Sequence, residues 1–91
     1  MYVETVDDAL DVVENHLGKT QSYYVDKYGN IEHNILVSDI DPRKIARFDI
    51  DMTLPHVQKD GVHINLEIYR HKFGSVSQKK SIINIHLKWR K

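Results

Sequence analysis

Residues 62–71, VHINLEIYRH, alternate apolar and polar side chains almost without interruption. A period of two belongs to a β-strand, whose successive side chains leave opposite faces of a sheet. Val62, Ile64, Leu66 and Ile68 therefore share one face, while His63, Asn65, Glu67, Tyr69 and His71 share the other. The apolar row requires something to cover it. The polar row is either a wetted sheet surface or a working site.

The cover is expected from the N-terminal segment. Across residues 5–17, Val6, Leu10, Val13 and Leu17 recur at helical spacing, and Ala9 widens the stripe. Asp7, Asp8, Asp11 and Glu14 fall on the opposite side, where the early acids suit the positive end of the helix dipole. Thr5 with Asp8 resembles a capping box with a shortened acid, and Gly18 is a natural stop.

Strands are expected to follow. Residues 22–38 read as a hairpin with a tight turn at Gly29-Asn30, which sets Lys27 opposite Glu32 and Asp26 opposite His33. Pro42 in DPRK presets a turn at residues 41–44. A third strand over about 45–54 would put Ala46, Phe48, Ile50, Met52 and Leu54 on one face. Residues 55–61 read as a loop, residues 62–71 as the fourth strand and residues 73–80 as a second loop. A fifth strand over 81–89 turns Ile83, Ile85, Leu87 and Trp89 inward. The expected fold class is α+β: an N-terminal amphipathic helix packed on a four- to five-stranded, mainly antiparallel sheet, an α-β-β-β-β-β meander forming a single domain over residues 1–91.

Ninety-one residues leave room for one core and little for a deep substrate cavity. There are no cysteines, which removes disulfides, thiol catalysis and thiolate metal sites together. No apolar run approaches the ~20 residues of a membrane span, and the acidic N-terminus is unlike a secretory leader. The expectation is a cytoplasmic protein that does not engage a membrane.

Two strings invite a catalytic reading. FDIDMTLP, residues 48–55, resembles the first motif of the haloacid-dehalogenase phosphatases, an Asp-x-Asp-x-Thr at the end of a hydrophobic strand. The resemblance would make Asp49 the nucleophile and Asp51 the proton-handling acid, with Thr53 completing the string and Mg²⁺ nearby. Met52 stands where that family commonly has a small glycine, and no parallel α/β layout follows. Strand alternation accounts for Asp49, Asp51 and Thr53 sharing a polar face. The second string is Asp39-x-Asp41, two carboxylates beside a turn, fewer oxygen ligands than a hard cation requires.

The polar faces raise a third point. Pairing strands three and four so that like charges separate sets Arg47 opposite Glu67 and Asp51 opposite His63, with His86 across from Glu67 or Asn65. The cluster of Arg47, Asp49, Asp51, His63, Glu67 and His86 is expected to be a lattice of cross-strand pairs on a solvated face. Its alternative is a small metal-dependent hydrolase. No catalytic residue, metal ligand set or cofactor is assigned.

The leading expectation is a non-enzymatic protein-binding or accessory module acting through a sheet face, hairpin or edge. Its analogues are small phage and mobile-element proteins. Tyr23, Val25 and Leu36 make both faces of the first hairpin partly apolar, and cross-strand pairing leaves Tyr69 unexplained. These four are the partner-binding candidates, and a homodimer would protect an open edge. The alternative is single-stranded nucleic-acid binding. Residues 61–91 hold seven basic side chains against one acid, Glu67, while residues 1–60 hold twelve acids against six bases. Arg70, Lys72, Lys79, Lys80 and Lys88 would meet phosphates, with Tyr69 stacking a base.

Overall fold

A computed structural model describes residues 1–89 and shows an α+β fold. In chain order the elements are β1 (Tyr2–Val3), α1 (Val6–Leu17), β2 (Gln21–Val25), β3 (Ile31–Ser38), β4 (Lys44–Asp49), α2 (Pro55–Asp60), β5 (His63–Ile68) and β6 (Ile83–Trp89). The strands form one sheet in the order β1-β6-β5-β4-β3-β2. From β2 to β6 it is the expected antiparallel meander. β1 adds a sixth, parallel strand beside β6, with Tyr2 opposite Lys88 and Val3 opposite Trp89. Two residues are too few to show a period, so β1 leaves no pattern in the sequence.

α1 starts and stops as its capping residues dictate. Thr5 Oγ1 accepts the Asp8 amide at 3.1 Å, and the Gly18 amide donates to Glu14 O at 2.7 Å. Gly18 takes φ 90°, which favours glycine, and a Cβ there would meet Ile40. The buried stripe is rotated from the expected one. Ala9, Val13 and Leu17 are buried and Val12 packs against the core, whereas Val6 and Leu10 are 63% and 53% exposed. The buried row is i, i+4, i+8, and the other flank stays in solvent. His16 reaches under the helix to backbone, its Nε2 lying 3.0 Å from Ile45 O and 3.2 Å from Glu67 O. Two carbonyl acceptors mean that Nε2 carries the proton.

The main core lies between α1 and one sheet face: Val3, Ala9, Val13, Leu17, Ala46, Ile64, Leu66 and Leu87, with Leu36, Phe48 and Trp89 against it. Burying a side chain such as Leu17 or Leu87 contributes about 1.5–3 kcal/mol. Ile83 and Ile85, expected inward, are exposed, because α1 covers only part of the β6 face.

Three further expectations fail for local reasons. The first hairpin has no two-residue turn at Gly29-Asn30. Its strands close at Val25 opposite Ile31, and Tyr24 lies opposite Glu32, so Lys27 and Asp26 fall in the loop. The Asp26 carboxylate accepts the amides of Tyr28 and Asn30 at 2.8 and 2.9 Å, and that local competition builds the longer loop. The third strand ends at Asp49; Ile50, Met52 and Leu54 are exposed, and residues 55–60 are α2, with Pro55 starting the helix. Finally, β4 and β5 pair two residues away from the expected register, with Arg47 opposite Asn65 and Asp49 opposite His63.

Candidate functional site

The far face of β5 is not wet. His63, Asn65, Glu67 and Tyr69 are all buried. The segment between β5 and β6 folds back over Glu67 and Tyr69, while His63 and Asn65 lie against Asp49 and His63 against His86. Tyr69 N–H donates to Arg43 O at 2.8 Å and Phe73 N–H to Pro42 O at 2.9 Å, tying the segment to the Asp41–Lys44 turn. The Phe73 ring packs between Tyr24 and Tyr69, with centroids 4.8 and 5.1 Å away. Gly74 follows at φ 83°, and a Cβ there would collide with the Tyr24 ring, so only glycine lets the loop lie this close. Gln78 clips the loop to itself, accepting from the His71 amide at 3.1 Å and donating to His71 O at 3.3 Å.

One half of this polar layer is Arg47, Glu67 and Tyr69. The Tyr69 hydroxyl donates to Glu67 Oε1 at 3.1 Å and lies 3.4 Å from the Arg47 guanidinium. Burial, reinforced by the neighbouring Glu67 carboxylate, raises the Tyr69 hydroxyl above the ordinary tyrosine range. Glu67 has a side chain only 5% exposed, and Arg47 Nη1 stands 3.5 Å from its Oε2. That oxygen accepts no hydrogen bond among the described residues. The three side chains line a cleft of about 560 Å³ together with Phe73, Lys79 and Lys80.

The other half centres on Asp49. Its Oδ2 accepts from Asn65 Nδ2 at 2.5 Å and lies 3.2 Å from His63 Nε2, while Oδ1 lies 3.7 Å from His56 Nε2. His63 Nδ1 sits 2.7 Å from Gly61 O, and its ring stacks on His86 at 5.4 Å. Asp51 is elsewhere: it accepts from the Thr53 amide and hydroxyl at 2.9 and 2.6 Å, and the Thr53 hydroxyl holds its carboxyl below the usual range. The expected Asp51–His63 pair does not form, and the two acids of FDIDMTLP serve different partners. Among the described residues, no three His, Asp or Glu side chains are placed to hold a metal ion. Asp41, in the other Asp-x-Asp, is gripped by Arg43 through Nε at 3.0 Å and Nη2 at 2.8 Å.

Tyr23 and Val25 are exposed on the edge strand, whereas Leu36 packs against the core and Tyr69 is enclosed. Arg70, Lys72, Lys79 and Lys80 are exposed and Lys88 is half-buried on β6. Lys79, Lys80 and Tyr69 come together at the cleft; Lys72 instead borders a depression with Tyr23, Val25 and Phe73. Phe73 and Gln78 build the cover and were not singled out in the sequence, where the only signal was an aromatic beside glycine in a polar loop. No family model matches this chain, and no curated protein or solved structure matches it either.

Proposed function

We propose that this protein is a non-enzymatic binding module whose edge strand β2 pairs with a second copy of the chain. The observation that carries this reading is the state of β2. It ends the sheet, and its Tyr23 and Val25, with Ile31 beside them on β3, are 51%, 52% and 52% exposed. An edge strand presents unpaired backbone N–H and C=O groups, and proteins ordinarily blunt it with lysine, proline or extreme shortness. β1, at the other edge, is only two residues long. β2 reads QSYYV, with neither charge nor proline, so a copy of itself meets no like-charge repulsion. The shift in pairing between Tyr23 and Tyr24 twists this edge and limits the length that can pair, which suits reversible association.

The test is mass against concentration. Light scattering should show the average mass rising toward the dimer as the protein is concentrated to about 100 μM. Tyr23→Lys together with Val25→Lys should hold the chain monomeric at the same concentration while leaving its fold intact by circular dichroism. A wild-type chain that stays monomeric throughout refutes the reading.

A further inference from the structure

The cleft over Arg47, Glu67 and Tyr69 has a charge pattern that its internal contacts do not explain. Its floor holds a carboxylate whose side chain is 5% exposed and whose Oε2 accepts no hydrogen bond. Arg47 Nη1 offsets its charge from 3.5 Å without hydrogen-bonding it, and a buried acceptor that lacks a donor is costly until one arrives. Arg47, Lys79 and Lys80 against Glu67 leave the lining with a formal charge of +2. Phe73 supplies an aromatic wall, and the volume of about 560 Å³ lies within the range of small-molecule sites.

We propose that this cleft binds a nucleotide whose base carries an amino group, with that amino group donating to Glu67 and the phosphate held by Lys79 and Lys80. A bare phosphate satisfies the lysines but is repelled by Glu67 and leaves Oε2 without a hydrogen-bond donor. A neutral nucleoside pairs with Glu67 and leaves the lysines unmatched. A zwitterionic amino acid carries no net charge to offset the lining. A phosphomonoester carries a charge of about −1.5 to −2, and carboxylates accept from the cytosine N4 amino group in known recognition geometry. Binding in this pose requires Arg47, a third exposed, to turn away from Glu67. Its Nη1 stands 3.5 Å from Oε2, and turning toward the phosphate opens that oxygen to the base. Phe73, held between Tyr24 and Tyr69, lends the cleft an apolar edge beside the base. This site is separate from the β2 edge, so its fate does not depend on self-association.

Calorimetry with cytidine monophosphate, uridine monophosphate, cytidine and inorganic phosphate tests the proposal on the unaltered chain. The two nucleotides differ at C4, amino against carbonyl, and at the adjacent N3, bare acceptor against N–H donor. Cytidine monophosphate should bind about tenfold tighter than the uridine form, and tighter than cytidine or phosphate alone. Lys79→Glu with Lys80→Glu should weaken it by at least as much. Glu67→Gln should erase the preference for cytosine over uracil; if that variant does not fold, the four-ligand comparison decides alone. A 5′-phosphorylated oligocytidylate binding tighter than the mononucleotide assigns the site to a strand end, and equal or weaker binding assigns it to a free nucleotide. No binding of cytidine monophosphate, or binding no tighter than that of phosphate or the uridine form, overturns the proposal.

Discussion

Tyr69 joins a buried carboxylate to a guanidinium through a single hydroxyl, 3.1 Å from Glu67 and 3.4 Å from Arg47. Replacing it with Phe leaves Glu67 Oε1 without its donor, and Tyr69→Phe should cost about 1–3 kcal/mol in denaturant unfolding. The raised ionisation of this phenol also sets a pH dependence. Its stabilising contribution is complete below the ordinary tyrosine value of 10.0 and is lost as pH climbs beyond it toward the higher folded value. A phenolate absorbance titration should show a step above the ordinary tyrosine range, and Tyr69→Phe should remove it. Asp41 behaves in the opposite sense. The hydrogen bond from Arg43 lowers its carboxyl from 3.8 to about 2, so its contribution is present above 3.8 and fades as pH falls toward 2. The pair is solvent-screened and the effect small. Asp41→Asn should flatten the stability profile in that acid window. Residue types told the chemistry of these groups correctly, including the attraction of Arg47 to Glu67 and of a histidine to an aspartate. They did not tell the register, because a two-residue slide keeps every side chain on its face and changes only which neighbour it meets.

At the scale of elements, α1 shows how much a period fixes and where it stops. The helix, its Thr5 cap and its Gly18 stop follow from local chemistry and were readable in advance. The buried flank was not, since Val6, Leu10, Val13 and Leu17 form as good a stripe as Ala9, Val13 and Leu17 until the sheet beneath sets the crossing angle. Leu17→Ala should therefore destabilise the protein by about 2–5 kcal/mol, while Leu10→Ala should stay within about 0.5 kcal/mol. Thermal or urea unfolding of the two variants separates them. Thr5→Ala should cost about 1 kcal/mol through the lost cap. The segment from Ile50 to Asp60 was misread for a related reason. Ile50, Met52 and Leu54 continue the alternation of β4, but the Asp51–Thr53 hydrogen bonds turn the chain before that strand can extend.

Over the whole molecule, the two faces of the sheet receive different covers. α1 covers part of one with an apolar core, and the loop between β5 and β6, with Phe73 docked on Tyr24 and Tyr69, covers the Glu67–Tyr69 part of the other. A polar strand face reads as solvated unless the cover is visible in the sequence, and residues 70–82 offered no periodic signal. The meander order, by contrast, follows from short connections and was readable. Among the surfaces the two covers leave open is the β2 edge. Amide hydrogen exchange at residues 21–25, followed by NMR at dilute and concentrated protein, tests its pairing most directly. Self-association through this edge predicts that the β2 amides pointing away from β3 gain protection as concentration rises, while those bonded to β3 are protected throughout. Outward amides that exchange equally fast at both concentrations would contradict it.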